Sequence, residues 1–111
     1  MQKENKFTIE DFKRDLDLDR RAFLRKYTKN LKGPGKMAIF IFCITNGQKQ
    51  SISSKEIDSQ WNKTKGILGE YNPVYLLRAR EYGFMKEDRV KKNHYQLTNS
   101  WLEKFNLRYF K

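Results

Sequence analysis

Between Asn72 and Thr98 the chain carries a helix start, a helix stop and a hairpin, in that order. Asn72 can cap a helix by accepting from a first-turn amide. Pro73, at the first helical position, gives up only a hydrogen bond that would be missing there anyway. Leu76, Leu77, Ala79 and Arg80 follow at a period of about 3.6 residues. Leu76 and Ala79 then face the core, and Tyr75, Arg78 and Tyr82 take other faces. Gly83 is the left-handed stop. Phe84 and Met85 begin a strand, and Tyr95-Gln96-Leu97 alternates as the returning one. Arg89, Lys91, Lys92 and Asn93 lie between them with no acid after Asp88, which gives the hairpin a cationic tip. One of Thr98, Asn99 and Ser100 caps a last helix. Ser100 and Glu103 have capping-box spacing, and Trp101, Leu102, Phe105, Leu107 and Phe110 supply its apolar side.

Upstream, Ser53 or Ser54 can cap a helix, and Ser53 and Glu56 repeat the capping-box spacing. Ile57 and Trp61 share its apolar face, it ends near Lys63, and Lys65-Gly66 turns the chain. Nearer the start, Thr8 can cap a helix whose apolar residues are Phe12, Leu16, Phe23, Tyr27 and Leu31. The stripe breaks at Asp17-Leu18-Asp19, so this is either two helices or one kinked helix. Gly33-Pro34-Gly35 reads as a linker. Lys36 to Thr45 is almost continuously apolar and, on propensity alone, suits a buried strand.

The run Gly83-Phe84-Met85, the charged tip, and Tyr95-Gln96-Leu97-Thr98 together resemble the winged helix-turn-helix family, over roughly residues 36 to 105. The resemblance implies an α+β, mainly α fold, in which residues 36 to 45 are the first, buried helix, stopped by Asn46-Gly47. Gln50-Ser51-Ile52 becomes the short first strand, and the helix from Pro73 to Tyr82 becomes the recognition helix. The connection from Gly66 to Tyr71 departs from the pattern, being longer and richer in glycine than a tight helix-turn-helix turn. The expected organisation is an N-terminal helical extension and linker over residues 1–35, packed as one unit with a winged-helix domain over 36–111. Such an extension either packs on the domain or makes a homodimer.

Charge narrows the partners. The 24 lysines and arginines outnumber 13 acids, for a net charge of +11. A surface this positive favours nucleic acid first and anionic membrane second, although a solubility charge or a compositional lysine bias gives the same count. Glu10, Asp11, Asp15, Asp17 and Asp19 precede a stretch holding only bases: Arg20, Arg21, Arg25, Lys26, Lys29, Lys32 and Lys36. That order complements a helix dipole and equally suits phosphate contacts. With 38% hydrophobic and 14% aromatic residues the chain can build a core. The apolar run from Met37 to Ile44 falls far short of the ~20 residues that span a bilayer. The first residues lack a signal peptide's apolar region, and the single Cys43 has no internal disulfide partner, so a cytoplasmic protein is expected.

Catalysis is not expected. His94 is alone, Glu87-Asp88 lacks a third ligand at metal-binding spacing, and the glycines form no phosphate loop. No cofactor or metal is implied. The expected function is binding of double-stranded DNA, as a transcriptional regulator. Asn72, Tyr75 and Arg78 would lie along the recognition helix, and Arg89, Lys91 and Lys92 on the wing would meet the backbone. Tyr75 has a competing role, packing against Trp61. The alternative is a winged-helix adaptor that uses Tyr71, Tyr75 and Tyr82 as exposed aromatics toward a protein partner. RNA binding suits the charge but has no motif behind it.

Overall fold

The computed structural model describes residues 6 to 110. Its first two helices, α1 (Ile9–Asp15) and α2 (Arg20–Tyr27), are separate because each has its own cap. Thr8 accepts from the Asp11 amide at 3.1 Å, and Asp19 restarts the helix by accepting from the Ala22 amide at 2.8 Å.

The next helix, α3 (Gly33–Ile44), begins earlier than its sequence suggests. Gly33-Pro34-Gly35 is its first turn, not a linker, because a proline lacking an amide is harmless there. The glycines permit close approaches: a Cβ at Gly33 would lie 2.2 Å from the Tyr75 ring, and one at Gly35 would lie 3.2 Å from the Tyr109 ring. Every residue from Met37 to Cys43 is buried. A helix covered on all sides has no polar face, which is why its sequence imitates a strand. It stops at Asn46 and Gly47, both left-handed, with the Gly47 amide donating to the Phe42 carbonyl at 2.9 Å.

The strand β1 (Ile52–Ser53) leads into α4 (Ser54–Asn62), then into α5 (Lys65–Leu68) and α6 (Pro73–Glu81). Lys65-Gly66 is therefore the start of a short helix and not a simple turn. The hairpin is β2 (Met85–Glu87) and β3 (His94–Leu97), and α7 (Trp101–Tyr109) follows. The three strands form an antiparallel sheet in the order β1-β3-β2, with Ile52 opposite Tyr95 and Met85 opposite Leu97. Gly83 has φ +85°, and Ser53 accepts from the Glu56 amide at 3.0 Å. The cap expected at Ser100 differs: its side chain makes no capping bond. Thr98 organises the corner instead, its hydroxyl donating to the Gly83 carbonyl at 2.7 Å.

Among the described residues the chain is thus an α+β, mainly helical domain of seven helices and one small sheet. Its core is continuous from end to end. Phe12, Phe23, Leu24 and Tyr27 of the first two helices belong to the same buried cluster as Phe42, Trp101 and Phe105. The Phe7 backbone clasps α7, donating to Asn106 Oδ1 at 3.1 Å and accepting from its Nδ2 at 2.9 Å. Among the described residues no helix is long and apolar enough to cross a membrane.

Candidate nucleic-acid interface

The exposed side of α6 follows from what its other side buries. Leu76 and Ala79 face the core, so Val74, Leu77, Arg78 and Glu81 turn outward. Val74 is 46% exposed and Leu77 49%. Their spacing, three apart and off the Leu76–Ala79 face, is legible in the sequence.

The three residues expected along this helix have different local roles. Asn72 is the cap: its Oδ1 accepts from the Val74 amide at 2.9 Å, although the residue is exposed. Tyr75 is half-buried, its ring centroid 5.8 Å from that of Trp61 and its edge over Gly33. Arg78 alone of the three is a charged group directed outward, with Glu81 Oε1 3.1 Å away. That partner is itself half exposed, so solvent screens the pair. The aromatics expected to be exposed, Tyr71, Tyr75 and Tyr82, are all partly buried against the core. Tyr71 packs on Trp61, and burial raises its phenol pKa, with a smaller contribution from Asp58.

Arg80, which the sequence reading gave no site role, joins the helix to the sheet. Its guanidinium lies 5.2 Å from the Tyr95 ring centroid and 3.9 Å from Glu87 Oε1. Both residues it touches belong to the hairpin, so it links hairpin and helix.

The hairpin tip sorts its charges by sign. Asp88 turns inward, its Oδ1 accepting from the amides of Val90 (2.8 Å) and Lys91 (3.1 Å) and its Oδ2 from the Ser51 hydroxyl (2.6 Å). The Ser51 bond first, then the two amides, hold its carboxyl well down, at about 2. Glu87 Oε2 accepts from the Asn93 amide at 3.1 Å. Asn93 itself is left-handed, with φ 59°. Arg89, Lys91 and Lys92 are exposed, and among the described residues none has a carboxylate within 4 Å. His94 is only partly exposed, with Nδ1 2.9 Å from the Lys92 carbonyl oxygen.

Other reactive groups have local roles. Burial raises the Cys43 thiol to about 11, so little thiolate is present at neutral pH. Among the described residues no three His, Cys, Asp or Glu side chains gather as a metal site. Comparison with protein-family models, curated proteins and solved structures finds no match.

Proposed function

We propose that the chain is a winged-helix protein that binds double-stranded DNA as a transcriptional regulator. In this reading α6 enters the major groove and the β2–β3 hairpin is a wing against the backbone. The observation that carries it is the sorting of charge at the hairpin. Glu87 and Asp88 are engaged with backbone amides, and among the described residues the exposed Arg89, Lys91 and Lys92 of the tip have no carboxylate within 4 Å. The order helix, strand, helices, hairpin and the net charge of +11 support the same reading. An α-helix fits the major groove; Arg78 suits a guanine edge or a phosphate, and Val74 and Leu77 suit thymine methyl groups. Asn72 and Tyr75 serve by holding the helix at its angle. The reading assigns no catalytic, metal or cofactor role.

A second reading has one observation of its own. The exposed Val74 and Leu77 also suit a protein groove, which would make the molecule an adaptor.

A mobility-shift series in rising salt tests both, with preferred sites first selected from a randomised duplex pool. Lys91→Ala with Lys92→Ala is expected to weaken binding to all duplexes and to lower the log–log salt slope by about one per lost contact. Arg78→Ala is expected to cost roughly 1–3 kcal/mol on the selected site and much less on random duplex. Wild-type binding that is weak and unselective, and unaltered in both variants, would favour the adaptor.

A further inference from the structure

A second basic surface lies away from the hairpin, where the N-terminal helices meet α5. A cavity of about 570 Å³ elsewhere, between Tyr82 and α7, is less suited to a polyanion, because Arg108 there is already stacked 3.3 Å over the Tyr82 ring. The cavity beside α5, about 540 Å³, is lined by Arg25, Lys29, Asn30, Lys36, Gly66 and Ile67, among others, with no acid in its wall. Arg25 and Lys29 are exposed, and among the described residues neither has a carboxylate within 4 Å. Lys36 is pinned across the cavity, its Nζ donating to the Leu68 carbonyl at 3.0 Å. Asn30 turns the chain with φ 66° between Lys29 and Lys32, so the cations lie on both limbs of a reversal. Gly66, with nothing within 4 Å of where its Cβ would be, leaves the α5 side open.

Position gives this cluster its meaning. Gly33, one residue past Lys32, lies against Tyr75 in the first turn of α6. The hairpin instead adjoins the other end of that helix, through Arg80 and Glu87. Basic side chains therefore lie toward both ends of α6, those of the cavity with no acid in its wall and those of the hairpin beyond Glu87 and Asp88.

We propose that Arg25 and Lys29, with Lys36 behind them, bind the phosphate backbone of duplex DNA on the flank opposite the hairpin. The inference rests on the DNA-binding reading above and gives the N-terminal helices a part in it. Phosphate contacts of this kind fix register and add affinity without reading sequence. Each neutralised phosphate also steepens the salt dependence by about 0.9 in the log–log slope.

The test uses the full chain carrying Arg25→Ala and Lys29→Ala, beside a control of equal charge loss, Lys13→Ala with Lys49→Ala. Mobility shifts across a salt series on the selected duplex and on random duplex are the readout. The cavity variant is expected to lose affinity equally on both and to lower the slope by about 1.8. The control should lose much less, and Arg25→Lys with Lys29→Arg should restore binding. Matched thermal melts show whether the variants fold, as surface substitutions should. A slope in the cavity variant equal to that of the control overturns the inference while leaving the reading of α6 and the hairpin standing, provided Lys91→Ala with Lys92→Ala lowers it. If the wild-type chain itself binds duplex without salt dependence, both fall together.

Discussion

Single residues here act first by holding their neighbours. Asp15 shows this most clearly. Its side chain is 12% exposed and bridges the first two helices, accepting from Lys26 Nζ at 2.6 Å and from the Tyr27 hydroxyl. The Lys26 bond first, then Tyr27, lower its carboxyl to about 2. In the unfolded chain an aspartate titrates near ~3.9. A group depressed on folding contributes stability that is fully present above the unfolded value and disappears as pH falls through the folded one. Asp15→Asn should therefore melt below wild type at pH 7, with the gap narrowing under about pH 4 and closing near about pH 2. Thermal melts of both proteins across that range check it, and a gap independent of pH would show that the charge of Asp15 contributes nothing.

At the scale of the element, α6 shows how a cap and a base reader can be confused. Both roles favour a polar side chain at the start of the helix, and Asn72 satisfies the description of each. Its Oδ1 acts as the cap, accepting from the Val74 amide, while the residue stays exposed. Asn72→Ala should cost about 1 kcal/mol in denaturant unfolding, while Asn72→Ser should retain most of that stability. With folding retained, Asn72→Ser should also leave the preferred duplex sequence unchanged. A changed preference in a variant that folds like wild type would return Asn72 to the groove. Tyr75 packs its ring against Gly33 of α3 and beside Trp61.

Across the whole molecule, the N-terminal helices are part of the core and not an appendage. Phe12 and Leu24 are fully buried and Phe23 almost so, beside Phe42, Trp101 and Phe105. Their apolar faces point inward, so a homodimer seam through this segment would have to use its charged outer side. Truncating one buried aromatic costs about 3–5 kcal/mol, against a total stability of 5–15 kcal/mol for a typical domain. A chain starting at Gly33 lacks several such residues at once. It should show no cooperative melt by circular dichroism and should bind a hydrophobic dye. A cooperative transition in the truncated chain would show that residues 33–111 fold alone.

What the sequence determined by itself was local. Asn72-Pro73, Gly83, Ser53 and Thr8 mark ends where helix termini must satisfy orphan backbone groups, and only a few side chains do that. The alternation at Tyr95 and Leu97 marked the returning strand for a similar reason, since a pleat has a period of two. The burial of Leu76, Ala79, Ile57 and Trp61 was legible through the same periodicity. The tertiary structure decided the matters that depend on distant neighbours. Helix α3 lost its polar face because helices from both ends of the chain cover it, so propensity alone misled there. Gly33-Pro34-Gly35 became a helix start, and the rings of Tyr75 and Tyr109 lie where side chains at the two glycines would stand. The cationic hairpin tip was legible, since no acid follows Asp88, but the bonds that tie Asp88 to the Val90 and Lys91 amides and Glu87 to the Asn93 amide were visible only in the structure.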